Sequence, residues 1–259
     1  MRPNISEFSY GYAITEELVH WQGTRMTAAP VFPSLYQEGQ AGGGWDVMLK
    51  RGGIPLFLQF KLSDCMTRQS AYECQQGWFY PPFYRMHVRP ARFSDQHEML
   101  LDLEKSGEEV YYSAPAFHEP WELDQAYISH QVKQRSIWIR PSFIGPLPDI
   151  WDHHVAFQQP GVKRFCSESW QIKNQSDFES FTSTILSSIK KRGKFALKSE
   201  ALSIVSDHLA EIARKRRDIS TDTYEAIKQT TKSWSYLERL AFYASMFLGV
   251  QLFVVNELA

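Results

Sequence analysis

The stretch Leu56–Leu62, LFLQFKL, constrains this chain more than any other. In an extended strand successive side chains alternate, so Leu56, Leu58, Phe60 and Leu62 share one face and Phe57, Gln59 and Lys61 the other. A strand this apolar belongs in the middle of a sheet, covered on both faces. A lysine on such a strand is costly unless its charge meets a partner. Gly52-Gly53 precedes the strand and suits a hairpin turn. In the segment before it, Trp45–Arg51, Asp46, Met48 and Lys50 alternate with Trp45, Val47 and Leu49. The expectation is therefore a pair of adjacent strands carrying Asp46, Gln59 and Lys61. An Asp on one strand and a Gln-x-Lys on the next can hold a divalent metal beside a lysine. The same residues can equally form a buried Asp46–Lys61 salt bridge, with Gln59 satisfying a backbone group.

The surrounding chain supplies helices and further strands. Thr15 is placed to cap a helix whose first turn carries Glu16 and Glu17, which suits the positive end of the helix dipole. A Pro- and Gly-rich connector containing Glu38 follows. Residues 64–92 read as an irregular, aromatic-rich loop with one strand near Tyr84–Val88. Ser94 predicts the cap of a helix running to Gly107, with Met99, Leu100 and Leu103 as its apolar stripe. Glu109–Phe117 predicts a strand, residues 121–135 a helix, 136–144 a strand or extended arm, and 153–173 a further extended region. From Ser176 the pattern turns helical. Ser176 with Glu179 has the form of a capping box, and Phe178, Phe181, Ile185 and Ile189 keep helical spacing. A second helix is expected over about 198–217, with Ala201, Ile204, Val205, Leu209 and Ile212 as its stripe. A last, nearly apolar helix is expected from about 234. The predicted organisation is an α/β (α+β) body over residues 1–174 followed by a helical region over 175–259.

Composition narrows the function classes. A chain of 259 residues with 43% hydrophobic and 14% aromatic content has ample material for a core. Its net charge of −1 gives no chain-wide nucleic-acid footprint, so any such surface is local. Three cysteines, Cys65, Cys74 and Cys166, with no CxxC pair, favour free thiols in a reducing cytoplasm over a disulfide framework. MRPNISEFSYGY lacks a cationic start followed by an apolar run, which speaks against a secretory leader.

With Asp46, twelve intervening residues, and then Gln59-Phe60-Lys61, set between two helices and followed by a strand, the sequence resembles the PD-(D/E)xK (restriction-endonuclease-like) nuclease superfamily. The form is the Q-x-K variant found in Mrr-type enzymes, and the resemblance covers roughly residues 8–118. It implies a mixed sheet flanked by helices and a metal-dependent nuclease hydrolysing DNA phosphodiester bonds, with Mg²⁺ or Mn²⁺ as cofactor. It also implies a role in prokaryotic antiviral defence beside partner proteins. Asp46 would be the charged metal ligand, joined by the Gln59 carbonyl oxygen, the Phe60 backbone carbonyl and a helix carboxylate. Glu17 fits that last place, with Glu16 and Glu38 as competitors. Lys61 would orient the attacking water or stabilise charge in the transition state. Gln96 and His97 fall where relatives contact the metal-bound water or DNA. Two departures stand out: Gln59 replaces a carboxylate, and Trp45 stands where a Pro is usual. Both fit an alternative in which the site is decayed and the fold serves as a nucleic-acid- or protein-binding module.

Other features have plainer readings. RKRR at 214–217, with Lys190, Lys191, Arg192, Lys194 and Lys198 upstream, is the best local basic surface, suited to phosphate or to a solvated helix end. His153-His154 reads as a surface pair, and His208 as a hydrogen-bonded core residue. His118, at a strand end, is open to either role. The aromatics Trp78, Phe79, Tyr80, Phe83 and Tyr84 suit packing over a sheet better than base stacking. The apolar run Leu240–Val255 covers 16 residues, short of the about 20 that a membrane span needs. A buried helix, or one forming a homo-oligomer, is expected there.

Overall fold

The computed structural model describes residues 1–21, 24–26, 53–158, 162–166, 170–173, 176–216 and 219–257. Asp46, Glu38, the segment Trp45–Arg51 and Arg217 lie outside these. In chain order the elements are α1 (Glu7–Val19), β1 (Thr24–Met26), β2 (Ile54–Phe60), β3 (Ser63–Met66), α2 (Tyr72–Gln75), β4 (Phe83–Val88), α3 (Gln96–Lys105) and β5 (Glu109–Pro115). There follow α4 (Pro120–Ile128), β6 (Ser136–Ile139), α5 (Pro141–Ile144), β7 (His153–Gln158), β8 (Val162–Phe165), β9 (Trp170–Gln171), α6 (Phe178–Arg192), α7 (Ser199–Arg216), α8 (Thr221–Thr230), α9 (Tyr236–Tyr243), a π-helical turn (Ala244–Leu248) and β10 (Gln251–Glu257). The class is α+β. Two compact units share the chain discontinuously: one takes Met1–Trp21, Phe60–His97 and Tyr111–Thr184, the other Gln22–Gln59, Glu98–Val110 and Ile185–Ala259. This division differs from a cut after residue 174, because chain from both halves of the sequence enters each unit.

In the first unit an antiparallel sheet runs in the order β3-β4-β7-β8-β9. Arg85 faces Ala156 and His87 faces His154 across β4 and β7. The same unit holds the antiparallel pair β5–β6, with Ser113 opposite Trp138. Helix α1 packs here through Tyr10, whose hydroxyl lies 2.8 Å from Ser113 Oγ and 2.9 Å from Ser136 Oγ. That satisfies a phenol with no solvent exposure. The cap of α1 is Ser6, whose side chain accepts the Ser9 N–H. Thr15 therefore sits inside the helix, donating its hydroxyl to Gly11 O at 2.7 Å. Glu16 and Glu17 fall in the last turn rather than the first.

In the second unit the strand order is β1-β10-β2, antiparallel throughout. The partner along Ile54–Leu58 is Val255–Gln251, from the C-terminal end of the chain. The expected hairpin strand, Trp45–Arg51, lies outside the described residues. Gly53 matters for closeness rather than for a turn. A Cβ built on it would lie 2.7 Å from the Val255 carbonyl oxygen, and its N–H donates to Gly193 O at 2.7 Å. The expected final apolar helix is also corrected. Helix α9 passes into the π turn and stops at Gly249, which takes the left-handed conformation at φ 68°, and the β-branched run LFVV continues as β10. Leu240, Phe247, Leu252, Phe253, Val254 and Val255 are buried in the chain itself. The apolar run is thus helix, π turn and strand rather than one continuous helix. No helix among the described residues is long and apolar enough to cross a membrane.

Replacing Gly53 by Ala will drive a methyl group into the β10 backbone. The expected loss is about 1–3 kcal/mol, as for overpacked core positions, read as a lower midpoint in chemical denaturation with unchanged slope.

Candidate functional site

Lys61 follows the last residue of β2. Its N–H donates to Ser113 O at 2.9 Å, which ties it to β5, and its Nζ donates to Gln96 Oε1 at 3.1 Å. Gln96 opens α3, where Ser94 Oγ accepts the Gln96 N–H at 3.2 Å. Desolvation lowers the Lys61 pKa, the Glu7 charge pulls it back up, and Arg89 lowers it further. The carboxylate whose charge acts on Lys61 is Glu7, in the first turn of α1.

Glu17 does something else. It is 2% exposed, and its Oε1 accepts the Val132 N–H at 2.8 Å. Oε2 accepts the Lys133 N–H and the Lys133 Nζ, both at 3.0 Å. Both oxygens pin the loop that leads into β6, at a residue expected from the sequence as a metal ligand. Gln59 is 4% exposed within β2, and Phe60 edges against Tyr10 with ring centroids 5.9 Å apart. Asp46 and Glu38 lie outside the described residues, and Glu16 pairs with His20 at 3.0 Å. His97 is a packing residue: Nδ1 lies 2.9 Å from Tyr112 Oη and Nε2 2.8 Å from Gly145 O. A carbonyl only accepts, so Nε2 carries the proton and Nδ1 accepts from the tyrosine.

A second polar cluster went unforeseen. Helix α2 aims Glu73, with no solvent exposure, at the sheet strands. Arg85 on β4 grips the carboxylate with both ends of its fork, its Nε donating to Oε1 at 2.7 Å and its Nη2 to Oε2. His154 on β7 sets Nε2 2.8 Å from Oε1, and the Cys166 thiol completes the group. The ligating atoms of Glu73, His154 and Cys166 all lie within 4.8 Å of one another. Burial opposes the charge on Glu73, yet hydrogen bonds from His154 and Arg85 outweigh it and hold the carboxyl at about 2. Desolvation lowers His154 against the hydrogen bond to Glu73; burial, then the Glu73 charge, pushes the Cys166 thiol up to about 12. At neutral pH an ionised carboxylate therefore accepts from a guanidinium and a neutral imidazole, beside a protonated thiol that donates to Arg164 O at 3.7 Å.

His153 and His154 do not form a surface pair. They point to opposite faces as strand neighbours must, but His153 is 2% exposed and stacks on Phe165, with Asp149 Oδ1 3.1 Å from its Nε2. His118 is buried, its Nδ1 3.0 Å from Glu122 Oε2. His208 is exposed rather than in the core. It lines a cleft of about 570 Å³ with Asp102, Lys105, Glu211, Lys215 and Arg216. Much of the expected basic surface is paired here: Arg216 bonds Asp102 at 2.7 Å, and Arg214 and Lys215 meet Glu211 at 2.8 and 3.5 Å. Arg192 is held by Glu108 at 3.0 Å.

The Glu73 cluster had a faint sequence signal. Arg85, His87 and His154 fall on strands, where alternation places Arg85 and His87 on one face of β4, but nothing local says which helix covers that face. Comparison with protein-family models, with curated proteins and with solved structures finds no match to this chain.

Two predictions separate these roles. Glu17→Ala removes the acceptor for two backbone N–H groups and an ammonium, and will cost about 2–4 kcal/mol in denaturant unfolding. A Glu73 carboxyl held at about 2, against an ordinary 4.5, stabilises the fold above the higher value and loses that contribution as pH falls through the lower one. Thermal unfolding across this window will show a steeper decline for the wild-type chain than for Glu73→Gln, which starts less stable at pH 7.

Proposed function

We propose that the chain is a phosphodiester hydrolase of the restriction-endonuclease-like kind, acting on DNA, with Lys61 as the group that meets the scissile phosphate. One observation carries this reading: a lysine with a lowered pKa, at the end of a buried strand, held by Gln96 Oε1 at 3.1 Å and facing the charges of Glu7 and Arg89. Perturbed titratable groups of this kind concentrate at functional sites. The order of elements agrees with it, since α1 precedes β2, and α3 and β5 follow. An ammonium in that position neutralises charge building on the phosphate oxygens as water adds to phosphorus and the bond to the leaving oxygen breaks.

Asp46, the expected charged ligand of a metal beside Lys61, lies outside the described residues. Mg²⁺ prefers one or two carboxylates with water and phosphate, and Glu17 is spent on Val132 and Lys133. No step here is assigned to a metal.

A second reading rests on the same commitment of Glu17 together with the neutral Gln59: a decayed site in which Lys61 binds phosphate without cutting. Supercoiled plasmid incubated with the chain in Mg²⁺ or Mn²⁺ decides between them. Under hydrolysis, wild type nicks or linearises the plasmid, and Lys61→Ala and Asp46→Ala each slow this by about 100-fold or more. Under the second reading no chain cuts, while Lys61→Ala weakens DNA binding in a gel-shift assay. A wild type that neither cuts nor binds defeats both.

A further inference from the structure

We propose that Glu73, His154 and Cys166 form a binding site for a borderline-soft divalent transition metal, Zn²⁺ being the best match, with one coordination position open. The donors are one carboxylate oxygen, one imidazole nitrogen and one sulfur, each a donor type that Zn²⁺ accepts. Their atoms lie within 4.8 Å of one another. Tetrahedral bonds of about 2.0–2.3 Å place donors roughly 3.5 Å apart, so closure asks only for movements of about 1 Å.

The scaffold holds the donors in place. His154 and Cys166 are locked by the bond from Cys166 N–H to His154 O at 3.1 Å, beside the β7–β8 ladder. Glu73 is fixed from behind by the Arg85 fork, the outer-shell support that ligating carboxylates usually have. Ala71, Phe79, Phe83 and Ala156 wall the site with apolar surface. The side chains of His154 and Arg85 are each 21% exposed, so an ion has a way in and a water can take the fourth position.

The exchange balances. The metal forms bonds to Glu73 Oε1, His154 Nε2 and Cys166 Sγ, and the thiol proton leaves to solvent. The proton on His154 Nε2 moves to Nδ1. The hydrogen bond between His154 and Glu73 at 2.8 Å is replaced by the metal between the same two atoms, while Arg85 keeps its bonds to both carboxylate oxygens, Oε1 using its second lone pair. The net gain of one positive charge falls on the solvent-open side, where the bound water can release a proton. This proposal does not rest on the hydrolase reading, because no residue named in it is used there.

The test is to strip the full chain with a chelator and titrate it with Co²⁺, then displace that ion with Zn²⁺. The expected result is one ion per chain with a thiolate-to-cobalt charge-transfer absorption that Zn²⁺ abolishes. Cys166→Ala and His154→Ala remove the band and weaken Zn²⁺ binding by about tenfold or more, while Cys74→Ser keeps both. Should Cys166→Ala fail to fold, the wild-type band and His154→Gln carry the test. No saturable uptake by wild type, uptake without the band, or a His154 variant that binds as wild type does would each overturn the site.

Discussion

The pairing of β10 with β2 is the contact on which the second unit depends. It joins Val255 to Ile54, 201 positions apart in the chain, and buries Leu252, Phe253 and Val254 together with Leu56, Phe57 and Leu58. A connection this long is entropically costly to close, though the cost grows only logarithmically with length. Seven residues of β2 with no exposed member offer enough apolar surface to offset it. The same pairing explains Gly53: β10 runs so close that a side chain at the start of β2 would enter its backbone. It also explains why Gly249 must end the helix before it, since the chain has to change from helix to strand within two residues.

Among the described residues, three buried carboxylates are each given specific donors. Glu17 receives two backbone N–H groups and an ammonium. Glu73 receives a guanidinium and an imidazole, and Glu108 accepts from Arg192. Glu17 is a clamp for a loop. Glu73 differs in kind, because two of its neighbours, an imidazole and a thiol, are themselves capable of ligation, and because Oε1 is shared between the guanidinium and the imidazole. Lys61 is the converse case. Its hydrogen-bond partner Gln96 is neutral, so part of the cost of desolvation appears as a lowered pKa.

Local signals were legible where they were self-contained. Ser94 before α3, Gly107 after it at φ 98°, and the stripe of Met99, Leu100 and Leu103, all buried, could be read directly because helix period and capping are set within a few residues. So could β2 and β5, whose apolar runs are too dense for anything but a covered strand. The stripe of α7 was legible in part, since Leu209 and Ile212 are buried as expected. Leu202, Ser206, Leu209 and Ala213 are buried while Ile204 is 68% exposed, since the apolar residues there are spread too evenly to mark a single face. Thr15 looked like a cap because capping chemistry is common to Ser, Thr, Asp and Asn, and the true cap, Ser6, lies nine residues earlier.

By itself, then, the sequence determined an α+β chain with a buried strand at Leu56–Phe60, a lysine at its end, free cysteines and no run of apolar residues long enough to span a bilayer. Tertiary structure decided which strand lies beside Leu56, that Glu17 is a clamp, and that Glu73, Arg85, His154 and Cys166 meet. The physical reason is the same in all three cases. Helix and strand periodicity record which face of an element is buried, but not what buries it. Partners separated by tens to hundreds of residues are selected by shape, hydrogen bonding and charge only when the elements pack.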